Sequence, residues 1–93
     1  MRIEIGINPN CSESVVRFRT DKLTGEQREQ LFGALKSFVE EYAYETDVFK
    51  GKIFGIECIT VDGDAPYNDY DNLMASLKDL KFMDKVKIER EEK

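Results

Sequence analysis

Apolar and charged positions alternate near both ends of the chain and recur at helical spacing between them. Ile3, Ile5 and Ile7 alternate with Arg2, Glu4 and Gly6, and Val16 and Phe18 alternate with Arg17 and Arg19. Each run predicts a strand with one buried face. The intervening Asn8-Pro9-Asn10-Cys11-Ser12-Glu13-Ser14 is turn-forming, so the two strands read as a hairpin. Thr24-Gly25-Glu26-Gln27 has the spacing of a capping box and predicts a helix start. Leu31, Leu35, Phe38 and Tyr42 follow on one helical face, widened by Val39. The pattern extends to about Thr46, and Val48-Phe49-Lys50-Gly51 is expected to end it.

Ile53 to Val61 is β-branched and apolar on both faces, as in a central strand, with Gly55 marking a bulge or a close backbone approach. Asp62-Gly63-Asp64-Ala65-Pro66 predicts a turn. A second helix is expected from near Asn68, its N-cap, with Asp69 and Asp71 in the first turn and an apolar stripe of Leu73, Leu77 and Leu80. Val86 and Ile88 alternate with Lys85, Lys87 and Glu89, which predicts a last, charge-guarded edge strand; continuation of the helix is the alternative.

The elements run β-β-α-β-α-β. They imply one α+β domain over residues 1–93, a small two-layer sandwich with a four-stranded sheet and two helices on one face. A ferredoxin-like sheet is similar in size, but its usual order is β-α-β-β-α-β, so the pattern assigns the layers and not that topology.

Charge changes this picture at one place. The net charge is −5, yet residues 40–72 alone carry −7, from nine acids against Lys50 and Lys52. The same third holds all four tyrosines, Tyr42, Tyr44, Tyr67 and Tyr70. Such an acidic chain disfavours direct nucleic-acid binding. Arg2, Arg17, Arg19 and Lys22 share the first hairpin with Glu4, Glu13 and Asp21, which suggests cross-strand ion pairs rather than a basic patch. No apolar run approaches the ~20 residues of a membrane span, and the start lacks the apolar core of a signal peptide. A cytoplasmic protein with reduced thiols is therefore expected, Cys11 at the surface and Cys58 in the core.

The chain contains no histidine, which removes the commonest general base and metal ligand. The six glycines are scattered and form no phosphate loop. Asp62-Gly63-Asp64 begins like a calcium loop, but Pro66, Tyr67 and Leu73 occupy positions where that motif needs a ligand, a glycine and a glutamate. Neither a catalytic residue, a metal site nor a cofactor is assigned.

What remains is binding. Glu40, Glu41, Glu45 and Asp47 lie toward a helix C-terminus, where the dipole favours cations, and locally misplaced charge often marks function. The sequence points to a non-enzymatic acidic protein that docks a basic protein surface. In its sharper form it is an inhibitor or immunity-type protein that occludes a nucleic-acid-binding site. Tyr44, Glu45, Asp47, Asp69, Tyr70 and Asp71 are the expected contact residues, with Tyr42 partly in the core and Tyr44 exposed. A helix leading directly into the central strand would separate the two acidic segments by roughly 25–30 Å, leaving two patches or a stripe. The alternatives are a small regulatory module that dimerises and binds a small ligand, and a divalent-metal enzyme using Asp62, Asp64, Asp69 or Asp71.

Overall fold

A computed structural model describes residues 14–42 and 44–92. The expected strand Ile3–Ile7, the turn that follows it and Cys11 lie outside the described residues. Within them the order is β1 (Ser14–Arg19), α1 (Gly25–Glu41), β2 (Thr46–Ile53), β3 (Ile56–Gly63), α2 (Ala65–Ala75), a 3₁₀ turn at Met83–Lys85, and β4 (Lys87–Glu92). The four strands form one antiparallel sheet in the order β2-β3-β1-β4. Two helices and this sheet make the small α+β sandwich that the periodicity predicts. Within the described residues the order is β-α-β-β-α-β; against the expected β-β-α-β-α-β it adds a strand after the first helix, while the expected first strand lies outside the described residues.

Both helices pack on one face of the sheet. Val16 and Phe18 of β1, Val48 of β2, and Ile59 and Val61 of β3 share a core with Leu31, Leu35 and Phe38 of α1 and Leu73 of α2. Leu77, just past α2, closes the core, and Leu80 packs at its margin. The Thr24 hydroxyl accepts the Gln27 N–H at 3.1 Å and the Gln27 side chain accepts the Thr24 N–H at 3.0 Å, so the capping box forms as read. The opposite sheet face carries Val15, Arg17, Cys58 and Thr60, all of them buried. Arg17 forms an ion pair with Glu91 of β4, at 3.3 Å.

The main departure is at residues 42–56. The first helix ends at Glu41 with Tyr42 as C-cap, not near Thr46. Residues 46–53, expected to terminate that helix, form a full edge strand. The expected strand Ile53–Val61 is interrupted by a two-residue hairpin loop, Phe54 at φ 53° and Gly55 at φ 78°. Both positive φ values identify the mirror-image turn that matches strand twist, so Gly55 is a turn glycine rather than a bulge. Sequence reasoning misses it because the usual Asn-Gly or Asp-Gly signal is replaced by Phe-Gly. The last strand does form, on the sheet edge beside β1.

Gly63 closes the hairpin at its open end, paired with Thr46 on one side and Ser14 on the other. Its φ is 153°, and a Cβ there would meet the Glu45 carbonyl oxygen at 2.5 Å and the Thr46 Cα at 2.7 Å. Both obstacles are backbone, so neither can rotate away. Gly63→Ala is expected to cost about 2–3 kcal/mol and to lower Tm by roughly 10–20 °C in a circular-dichroism melt. An unchanged Tm would show that β2 does not need this approach.

Candidate functional site

Strand β2 runs back along β3, and this reverses the expected separation of the acidic segments. Thr46 lies opposite Gly63 and Asp47 opposite Asp62. The end of α1, the start of β2, the end of β3 and the start of α2 therefore meet at one end of the molecule. The Tyr44 hydroxyl donates to Asp69 Oδ2 at 2.9 Å, across 25 residues of chain. The Asp64 N–H reaches the Glu45 carbonyl at 3.4 Å. The expected gap of tens of ångströms is replaced by direct contact, and the two segments form one surface.

Thr46 holds this junction. Its hydroxyl donates to Asp64 Oδ1 at 3.0 Å and accepts the Ala65 N–H at 2.9 Å. Helix α2 starts at Ala65, not near Asn68, and its N-cap residue Asp64 makes no side-chain cap hydrogen bond. A threonine on a neighbouring strand supplies that acceptor instead. The helix is kinked at Asp69, whose φ of −146° and ψ of 41° are not helical. There Asp69 Oδ1 accepts from the Asn72 side-chain amide at 2.6 Å, while Oδ2 accepts from Tyr44.

The six expected contact residues thus come together but divide into two groups. Glu45, Asp47 and Asp71 are exposed. Tyr44, Asp69 and Tyr70 are half-buried and build the site from within. Tyr44 stacks near Phe38 with ring centroids 6.1 Å apart. Tyr70 lies under the Arg90 guanidinium, 4.2 Å from the ring centre, and Arg90 also donates to the Pro66 carbonyl at 3.2 Å. The tyrosines that face solvent are Tyr42, 52% exposed, and Tyr67, 43% exposed. Tyr44 is thus more buried than expected and Tyr42 more exposed, although the Tyr42 ring also lies against Phe38, with centroids 4.8 Å apart. The cause is the early helix end, which turns Tyr44 inward onto Phe38 and leaves Tyr42 at the C-cap.

The negative charge here is not balanced locally. Among the described residues no ion pair involves Glu40, Glu41, Glu45, Asp47, Asp69 or Asp71. The two lysines of the segment point elsewhere, Lys50 to Glu29 on α1 and Lys52 to Glu57 on β3. Glu40 and Glu41 occupy the last turn of α1, which has no basic residue to offset the dipole. Asp47 and Asp62 stand directly opposite on paired strands. No group of three His, Cys, Asp or Glu among the described residues is placed to hold a metal ion. Cys58 is a buried free thiol whose pKa is pushed up by burial, so it stays protonated at neutral pH.

Comparison with protein-family models, with curated proteins and with solved structures finds no match for this chain.

Two predictions follow from the junction. Thr46→Val removes both hydrogen bonds at nearly constant volume; a loss of about 1–2 kcal/mol in denaturant unfolding is expected. The Tyr44 phenol is held above its ordinary pKa of 10.0, first by burial and then by its hydrogen bond to Asp69 and the charges of Asp69 and Asp64. The fold favours the neutral phenol, so this stabilisation is complete below pH 10 and disappears as pH rises through the raised value. An ultraviolet titration of phenolate formation should lose a tyrosine that titrates above the ordinary value in Tyr44→Phe, and the variant's stability should fall less steeply in alkali.

Proposed function

We propose that this protein is a non-enzymatic binding protein whose acidic end docks a basic protein surface. The observation that carries the reading is the concentration of carboxylates without an ion pair among the described residues, Glu40, Glu41, Glu45, Asp47 and Asp71, around a junction built to hold them together. The fold accepts the unfavourable helix-end glutamates Glu40 and Glu41, and a cationic partner relieves them. Exposed Tyr42 and Tyr67 provide rigid aromatic area beside the charge, the combination favoured at binding hot spots.

The sharper reading is an inhibitor or immunity-type protein that covers the nucleic-acid site of its target. Carboxylates on a strand end and two helix ends offer a basic groove the charge it would otherwise take from phosphates. Occlusion needs no catalytic group on this chain. The loop aspartates support a metal-dependent enzyme less well, because Asp64 and Asp69 are already engaged by Thr46, Tyr44 and Asn72.

The contact set is accordingly redrawn. Glu45, Asp47 and Asp71 meet the partner, with Tyr42 and Tyr67 as aromatic anchors, while Tyr44, Asp69 and Tyr70 position them. The test is affinity capture of a partner from cytosolic extract, followed by binding measurements on the purified pair. Binding is expected to weaken at least ~10-fold between ~50 and ~300 mM salt and to compete with a short oligonucleotide. The combined Glu45→Lys, Asp47→Lys and Asp71→Lys variant, still folded, should lose the same partner. Salt-insensitive binding that survives these reversals would overturn the reading.

A further inference from the structure

The sheet face away from the helices holds a cavity of about 250 Å³, at the opposite end of β3 from the acidic junction. Its apolar wall is the β2–β3 hairpin, with Ile53, Phe54 and Ile56. Its floor is Cys58 and Arg19, which face one another across the β1–β3 pair. Gly51, also opposite Cys58, adds no side chain to that row, and the space above it is open.

Three independent features converge here. The first is the cavity itself, somewhat smaller than the ~300–1,000 Å³ usual for drug-sized ligands. The second is the Arg19 Nε, which is shut off from solvent and has no hydrogen-bond partner among the described residues. A buried donor left in this state is destabilising unless something completes it. Across β1 and β4, Glu91 is already bound to Arg17 and Glu89 to Lys87. The third is Phe54, a large apolar side chain held at φ 53° and 67% exposed. That turn position favours Asn, Asp or Gly, so a phenylalanine there is retained against local preference.

We propose that this cavity binds a small organic carboxylate with an apolar body. The carboxylate accepts from Arg19, and the body lies against Ile53, Phe54 and Ile56. Glu89 and Glu91 border the site and repel polyanions, which selects a single negative charge over a phosphate or a nucleic-acid backbone. Cys58 is not a nucleophile in this scheme, since burial keeps its thiol protonated.

The probe is phenylacetate, compared with neutral phenylacetamide and inorganic phosphate, followed by amide chemical shifts of the isotope-labelled protein. A ligand this small is expected to saturate at about millimolar concentration or below. Phenylacetate should shift the amides of Arg19 and of residues 53–58. Phenylacetamide should bind at least ~10-fold more weakly, because it lacks the charge-assisted hydrogen bond. Arg19→Gln should lose at least ~10-fold, and Phe54→Asn several-fold although it suits the turn better. The Glu45→Lys, Asp47→Lys, Asp71→Lys variant should bind phenylacetate as the parent does, which separates this site from the acidic end. The proposal fails if phenylacetate leaves those amides unmoved, if phosphate saturates the site equally, or if a folded Arg19→Gln variant binds unchanged.

Discussion

The structure depends on one hydroxyl group. Thr46 Oγ1 donates to Asp64 and accepts from the backbone of Ala65, and so fastens the first residue of β2 to the first residue of α2. Gly63 makes this possible, because any side chain there would strike the backbone of Glu45 and Thr46. A hydrogen-bonded strand pair alone would set the register of β2 on β3. It would not fix where α2 begins, since Asp64 does not cap its own helix. The hydroxyl couples the two, and the position of every carboxylate at this end follows from that coupling.

The same junction explains how the chain tolerates a concentration of like charge. Neutral donors bear on the innermost carboxylates: the Tyr44 phenol and the Asn72 amide on Asp69, the Thr46 hydroxyl on Asp64. Hydrogen bonds to ionised groups are stronger than neutral ones, so these donors hold the carboxylates in place. The charge is solvated by the protein rather than cancelled by it. An internal lysine would have been equally stabilising locally, but it would have removed the potential that the outer carboxylates present to a partner.

Much of the layer architecture is legible in the residues, and the order of the strands is not. The capping box at Thr24 and the spacing of Leu31, Leu35 and Phe38 place α1 because those signals are local. Val86 and Ile88, alternating with charge, place β4 for the same reason. Residues 46–53 escape because only Val48 of that strand is buried. Thr46 and Ile53 at its ends are half-buried and the rest face solvent, so no apolar alternation exists to be read. The error propagates: with β2 taken as the end of a helix, the chain has no return along β3, and the acidic segments fall at opposite ends. Of the site itself, the six residues are found by charge and aromatic content, but their division of labour is not. Tyr44 and Tyr42 differ by two positions and both rings lie against Phe38, and the point at which the helix stops decides which is the more exposed.

Strand β3 separates two chemically different surfaces. Asp62 stands at its acidic end beside Asp47, and Ile56 at its other end beside Ile53, six residues away. At the rise of an extended strand this is roughly 20 Å, about twice the Debye length at physiological salt. Arg19 stands opposite Cys58, four residues from Asp62 and roughly 13 Å along the strand, still beyond the Debye length of about 8 Å, so charge at the junction reaches it weakened. What links the two ends is mechanical. Both rest on the hairpin formed by β2 and β3, fixed at one end by the close approach at Gly63 and reversed at the other by a turn that places a phenylalanine in a glycine-like conformation. A hairpin pinned at both ends has one register, and a single register is what holds an edge strand with so little buried surface in place.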